Sequence, residues 1–334
     1  MTALNDDTIV RSAIDYIYTE MQIDPEWSIR DGSTFSWWGH QLRQCVWAED
    51  AGTIDGMKVW FLRAETDIAM DVDVSAQSLD RVMLLNTGAV FNALVLDPEE
   101  RQIKLMTSAC LHNDNSEWVS NLFCHAVAMQ AAEAEAKIAA GLTRALSGSP
   151  AFSEHPISGR RARPDDMLNV LEDIYVPYGK DDPPYGMSDF KEAAEALRKR
   201  SVNSTYGADG MAAELPFSHV GLKQKACISD PRPNTTSLLT ASNLEKHPGL
   251  GSGCLIRLTL PVSRPGARFA NELNLAENRE FTGFHGLGSW CSGPNGLTHI
   301  TFLPNIEHRS GLLRAMVLND AMRASWAATR VSTA

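Results

Sequence analysis

The chain has 334 residues, of which 44% are hydrophobic and 21% charged, and 41 acidic against 30 basic side chains give a formal charge of -11. This composition excludes a disordered or fibrous chain, and the length predicts two domains. The acidic balance, without a dense basic stripe, argues against a nucleic-acid partner. The start of the sequence lacks a signal-like apolar region and no run of about 18 apolar residues occurs, so we expect a cytoplasmic protein without a membrane segment.

The chain begins with a predicted helix, which two predicted strands follow. Residues 6–21 carry apolar side chains at the spacing of one helix face. Residues 35–46 contain the first strand. A glycine, Gly56, then precedes the apolar run 57–62, which is rich in strand-forming residues and predicts the second strand.

A second predicted helix, a hairpin and a long helix complete the first 146 residues. The helical segment contains Leu85 and Asn86. The apolar runs 94–96 and 103–106 flank Asp-Pro-Glu-Glu, which predicts a turn between two strands. A long helix is predicted from about 115 to 146.

The second part of the chain repeats these elements in the same order. Residues 217–228 align without gaps on 35–46, with Phe, Ser, Gly and Cys at matching positions. Leu-Asn recurs at 273–274, and Ala-Met-Gln-Ala at 128–131 is echoed by Ala-Met-Arg-Ala at 321–324. The other matching elements are a helix at 188–200, a strand at 253–258, a hairpin at 288–302 and a helix at 306–330. The repeat therefore predicts two copies of one unit.

The predicted fold is α+β, with two tandem copies of an antiparallel sheet and packed helices related by a pseudo-twofold. Each copy has the order helix, strands, helix, hairpin, helix. The predicted domains are 1–146 and 188–334, with a linker rich in proline and glycine over 147–187. Within the second copy, prolines, serines and asparagines predict a loop over 230–251.

This order of elements resembles the type III secretion chaperone-like fold, which the YbjN family of bacterial proteins also adopts. The resemblance is one of topology over residues 6–146 and 188–330, without a family-specific motif. It implies a chaperone-like bacterial protein whose partner is another protein or a polypeptide segment. Members are typically small acidic homodimers, and two fused copies would resemble such a dimer in one chain. The sequence leaves the oligomeric state open.

Tryptophan is concentrated in the first part of the chain. Six of the eight lie there: Trp27, Trp37, Trp38, Trp47, Trp60 and Trp118. Adjacent Trp37 and Trp38 point to opposite sides of a strand, so one leaves the core unless both sheet faces are covered. Exposed indoles are typical of binding surfaces. Trp37, Trp38, Trp47 and Trp60 are therefore the candidate partner-binding residues.

The most enzyme-like segment holds His285 and Cys291, six residues apart among glycines. A thiolate nucleophile needs a neighbouring base and a third group to orient that base. The third group could be Asn295, Asn305 or His308. Because Cys291 occupies an apolar strand position, a structural role is favoured, and no residue is assigned as catalytic.

No metal or other cofactor is expected. Four ligand-type side chains lie within 16 residues: Cys110, His112, Cys124 and His125. Zinc sites use short ligand pairs with a loop between them, and adjacent helical residues point about 100° apart. The predicted function is therefore a non-enzymatic chaperone or adaptor that binds protein. The alternatives are a Cys/His enzyme using Cys291 and His285, or a structural subunit of a larger assembly.

Overall fold

A computed structural model describes residues 6–54, 56–169, 184–216, 236–262, 266–293, 296–306 and 311–331. The chain divides into two compact units, each with an antiparallel sheet and helices, which confirms the predicted α+β class. Unit 1 comprises residues 1–174 and 274–289, and unit 2 comprises 175–273 and 290–334. Within the described ranges, no helix combines the length and apolar content that crossing a bilayer requires.

Unit 1 contains four helices and a seven-stranded sheet within its described residues. The helices are α1 (Asp6–Glu20), α2 (Ala76–Asn86), α3 (Ser116–Ala139) and α4 (Leu142–Ala145). The strands are β1 (Ser28–Asp31), β2 (Thr34–Trp37), β3 (Gln44–Ile54), β4 (Met57–Met70), β5 (Ala93–Asp97), β6 (Gln102–His112) and β7 (Ser149–Pro150). The strand order is β1-β2-β3-β4-β6-β5, and β7 pairs with β4.

One face of this sheet carries the helices. Helix α3 packs on β4 and β6, and α1 packs on α3 and β3. Leu62 and Ala64 on β4 point to this face and are buried, as is Ala109, which lies opposite Leu62 on β6. Strand β6 is buried along nearly its whole length, so its other face is covered as well.

Residues 274–289 cover the opposite face of the sheet at β5 and β6. Leu275 packs against a cluster formed by Ala93, Val95 and Met106. The Gly286 carbonyl accepts a hydrogen bond from the Ser108 amide at 3.2 Å. The segment therefore supplies both apolar cover and backbone pairing beside β6, where β5 has already ended.

The described part of the predicted linker, 147–169, packs on unit 1, and we call it the strap. Strand β7 pairs with β4, and the Ser153 amide donates to the Gln41 carbonyl at 2.9 Å. Arg161 donates to the Trp38 carbonyl at 3.0 Å and pairs with Asp165 at 2.9 Å. Proline and glycine prevent a long helix or strand here, but they leave side chains that pack. Arg161 is therefore a packed residue of the strap, with a side chain that is 12% exposed.

Unit 2 contains a six-stranded sheet within its described residues. Its helices are α5 (Met187–Arg198), α6 (Ala267–Arg279, whose second half belongs to unit 1) and α7 (Leu312–Val331). The strands are β8 (Asn203–Tyr206), β9 (Gly210–Pro216), β10 (Thr236–Ser242), β11 (Gly253–Leu260), β12 (Ser289–Gly293) and β13 (Gly296–Pro304). The order β8-β9-β10-β11-β13-β12 repeats that of the first sheet.

The loop predicted over 230–251 is wrong in part, because β10 lies within it. This strand pairs with both β9 and β11, the position that β3 holds in the first sheet. Its buried positions are Ser237, Leu239 and Ala241, and the two small residues weaken the apolar alternation that would have indicated a strand. The aligned segment 217–228 lies outside the described residues, so the structural support for the repeat is the strand order.

Gly286→Ala tests the docking of 274–289 on the sheet. A Cβ at this position would lie 2.2 Å from Ser108 Oγ and 3.2 Å from Asn278 Oδ1. We expect a loss of about 1–3 kcal/mol in the free energy of unfolding, measured by urea titration, because the packed segment must shift. Gly88→Ala is the control, since the atom nearest to its added Cβ would be the Leu85 carbonyl oxygen at 3.8 Å. Equal stability of the two variants would contradict this packing.

Candidate functional site

Two of the four candidate tryptophans are interior. Trp37 is 1% exposed and Trp38 is 3% exposed. Trp37 lies opposite Gln44 on the helix-bearing face. The strap covers Trp38, whose Nε1 donates to Ser153 Oγ at 3.1 Å and whose ring meets His155 edge-on at 4.9 Å. Because both sides of the strand end are covered, neither indole is available to a partner.

Trp47 and Trp60 are partly exposed but lie on opposite faces of the sheet. Trp47 lies opposite Arg63, whereas Trp60 lies opposite Asp50 and three residues before Arg63 on the same strand. Side chains alternate between faces along a strand, so Trp60 belongs to the helix-bearing side. There Lys58 lies 5.2 Å from the Trp60 ring centroid. The predicted contact surface of four tryptophans is therefore not one surface.

The face that carries Trp47 is open at the β1 side of the sheet. We call this part of the sheet face the open face, and strand register places two rows of side chains on it. The first row is Ile29, Ser36, Cys45 and Glu65, and the second is Asp31, Thr34, Trp47 and Arg63. Ile29 is 42% exposed. The same rows continue on β6 at Met106 and Ser108, where 274–289 covers them.

Trp47 is held in place by two charged neighbours. The Arg63 guanidinium lies 4.7 Å from the Trp47 ring centroid, a cation–π geometry. Glu49 accepts hydrogen bonds from Trp47 Nε1 at 2.7 Å and from Arg63 Nη1 at 2.9 Å. The indole therefore stands in a fixed orientation without being buried, and its polar atom is already satisfied.

Lys104 lies beside the open face, beneath three carboxylates. Its Nζ is 2.7 Å from Glu100, 3.5 Å from Asp67 and 3.7 Å from Glu65. Burial opposes the charged form, but the Glu100 hydrogen bond and the other two carboxylates outweigh it and raise the Lys104 pKa. The ammonium therefore stays charged, and one cation serves three anions.

The residues of the enzyme alternative are buried in their own units. His285 lies in unit 1, where its Nδ1 accepts a hydrogen bond from the Cys110 amide at 3.2 Å and its ring meets Trp118 edge-on at 5.2 Å. Cys291 lies in unit 2, buried within β12. Asn295 and His308, two of the possible third groups, lie outside the described residues. The His285 Nδ1 thus accepts a hydrogen bond from the backbone of β6, which gives the ring a structural role.

Burial suppresses the reactivity of several other thiols. It raises the pKa of Cys110 to about 11, and that of Cys124 and Cys254 to about 12. The thiolate is the nucleophilic form, so these side chains stay unreactive near neutral pH. Over the described stretches of chain, no three His, Cys, Asp or Glu side chains gather as a metal site.

A buried ionic cluster in unit 2 was not anticipated from the sequence. Arg323 Nη1 donates to Asp320 Oδ1, and His299 Nδ1 lies 3.8 Å from the same oxygen. All three side chains are fully buried, and Trp290 meets the His299 ring edge-on at 5.2 Å. Burial, with the Arg323 charge second, holds the pKa of His299 well below its ordinary value.

The matching position in unit 1 is neutral. The echo of 128–131 in 321–324 pairs Gln130 with Arg323. Gln130 is also buried; its Oε1 accepts from Gln44 at 3.0 Å and from Thr66 at 3.1 Å, and its Nε2 donates to the Ala64 carbonyl. That echo was the one signal in the sequence that could have indicated a buried polar position in both helices.

Comparisons with known proteins give no match. Neither a family model, nor a curated protein, nor a solved structure is similar to the chain at a significant level. The candidate site is therefore defined by its geometry alone: the open face of unit 1, with a partly exposed indole held in a fixed orientation.

The role of Cys291 can be tested by labelling and substitution. Because the side chain is buried, we expect its thiol to react with a maleimide only as the protein unfolds, while partly exposed Cys45 reacts first. Cys291→Ala should lower the free energy of unfolding by about 1 kcal/mol through lost packing. Peptide mass mapping after labelling identifies the modified cysteines. Fast labelling of Cys291 in the folded chain, with unchanged stability of Cys291→Ala, would favour a reactive thiol instead.

The His299 cluster predicts acid sensitivity. The folded chain keeps this imidazole neutral, whereas the unfolded chain binds a proton below about pH 6.5. The contribution of His299 to the free energy of unfolding is therefore fully present above that pH. Below it, this contribution is lost by up to about 1.4 kcal/mol per pH unit.

Urea unfolding at pH 7.5 and pH 5 measures this loss, which we expect to be smaller in His299→Gln. Part of the slope should remain, because burial lowers the pKa of His125 to about 4 and acts with the same sign. An equally steep loss in His299→Gln would contradict a neutral buried imidazole.

Proposed function

We propose that the chain is a non-catalytic polypeptide-binding protein, chaperone-like or adaptor-like, and that the open face of unit 1 is its contact surface. The observation that carries this proposal is the partial exposure and fixed orientation of the Trp47 indole. It is partly exposed on a sheet face and held by Arg63 and Glu49, so it can contact a partner without first being ordered.

The same sheet face already binds polypeptide elsewhere in unit 1. Residues 274–289 lie on its β5–β6 half, with Leu275 on an apolar cluster and the Gly286 carbonyl paired to the Ser108 amide. These are the two kinds of contact by which sheets commonly take extended segments, side-chain packing and backbone pairing. The β1–β3 half of the face offers exposed Ile29 and partly exposed Trp47 for packing.

Two further observations favour binding over catalysis. Several thiols are kept protonated by burial, and the ring nitrogen of His285 is engaged with backbone. The element order resembles the type III secretion chaperone-like fold, whose members hold polypeptide segments. Two sheets of identical strand order in one chain are consistent with a fused pair of such units. The proposal includes a bacterial, cytoplasmic setting with another protein as the partner.

Trp47→Ala is the direct test. The probe is a fluorescein-labelled, reduced and carboxymethylated polypeptide, and fluorescence anisotropy measures its binding to the full chain. We expect at least about a tenfold loss of affinity, because a central aromatic contact typically carries more than 1 kcal/mol. The melting temperature should change little, since Trp47 lies outside the core.

Ile157→Ala is the matched control, because Ile157 is an exposed apolar residue on the strap. Its affinity should equal that of the unmodified chain. A chain that does not bind the probe at all, or a Trp47→Ala variant that binds as tightly as the Ile157→Ala control, would overturn the proposed function.

A further inference from the structure

We propose that the partner segment on the open face is cationic, with a large apolar side chain flanked by lysine or arginine. This inference rests on the proposed function and specifies the chemistry of its partner. It follows from which charges on and beside the open face reach solvent.

The carboxylates are outermost and the cations lie beneath them. The side chains of Lys104 and Arg63 are 8% and 14% exposed, whereas those of Glu65, Asp67 and Glu49 are 25%, 33% and 48% exposed. Lys104 alone is shared by three carboxylates, and Asp31 adds another exposed acid on the same face. An exposed cation, Arg43, acts on Cys45 from beside the same face. The surface that a partner meets is still anionic, because the five carboxylates Glu49, Asp31, Glu65, Asp67 and Glu100 outnumber the three cations Lys104, Arg63 and Arg43.

The apolar anchors lie among these acids. Trp47 occupies β3 and Ile29 occupies β1, so two strand spacings, about 10 Å, separate them across the face. Trp47 also accepts a cation, as its contact with Arg63 shows. A segment that alternates basic and apolar side chains over a few residues matches both features.

The same charges argue against other occupants. A second copy of this chain carries the same acidic face and a formal charge of -11, so pairing the two faces would bring like charges together. Acidic segments meet the same repulsion. Neutral apolar segments would leave the excess negative charge of this face uncompensated.

Three synthetic peptides test the partner class. They share one apolar core of Leu and Phe in about 12 residues and differ only in their flanks, which are Lys/Arg, Gln or Glu. We expect the full chain to bind the Lys/Arg peptide at least about tenfold more tightly than the Gln peptide, and to bind the Glu peptide more weakly still. Raising the salt concentration from about 50 to 300 mM should lower the affinity for the Lys/Arg peptide most, because salt screens exposed charges.

A double variant, Glu65→Gln with Asp67→Asn, removes two of the outer charges and leaves Glu100 on Lys104. We expect this variant to bind the Lys/Arg peptide with about tenfold lower affinity and to bind the Gln peptide with unchanged affinity. The matched control is Glu195→Gln with Glu272→Gln, two exposed acids in surface i,i+4 pairs on α5 and α6. The control should bind all three peptides as the unmodified chain does.

Three outcomes would overturn the inference. If the Gln or Glu peptide binds as tightly as the Lys/Arg peptide and depends on Trp47, the partner class is wrong while the proposed function stands. If neither the peptides nor the unfolded polypeptide binds, both are wrong. If sedimentation shows a dimer that Trp47→Ala dissociates, the occupant is a second copy of the chain.

Discussion

A sheet has two faces, and each apolar face needs cover. In unit 1 the helices α1 and α3 cover most of one face and leave Trp60 partly exposed at its end. On the other face, Leu275 covers β5 and β6 over Ala93, Val95 and Met106, and Phe281 extends this cover to Phe61 on β4. The remaining half is not covered in this way, and charged side chains occupy much of its surface. Trp47 is braced by Arg63 and Glu49, and carboxylates stand outermost around Lys104. The open face thus follows from incomplete cover of one sheet face.

The two copies share a strand order but differ in what they bury. At matching helix positions, Gln130 centres a neutral amide network, whereas Arg323 forms an ion pair with Asp320 beside His299. A buried charge requires an opposite charge, while an amide needs only hydrogen bonds. Acid therefore acts on the second core through His299 beside its ion pair, and on the first core through buried His125. Duplicated topology does not imply duplicated chemistry.

The elements with strong periodicity were predictable from the sequence. Helices at Asp6–Glu20 and Met187–Arg198, and the hairpin around 97–100, lie within a few residues of their predicted bounds. The strand β10 was missed because Ser237 and Ala241 are small, and the strap was missed because proline and glycine indicate irregular backbone without indicating where it packs. Composition cannot show that distinction, since it depends on partners distant in sequence.

The geometry of the candidate site could be read from the sequence only in part. The tryptophan count drew attention to β3 and β4, but which indole is exposed depends on strand register and on the strap over Trp38. The cluster around Lys104 joins residues from β4, from β6 and from the turn between β5 and β6. No local sequence pattern predicts it.

Hydrogen–deuterium exchange of the full chain, with and without a bound polypeptide, tests the central claim most directly. If a segment occupies the open face, amides in β1, β2 and the first half of β3 should gain protection, while those of β8 and β9 exchange unchanged. Protection confined to unit 2, or none along β1 to β3 at saturating polypeptide, would contradict the account.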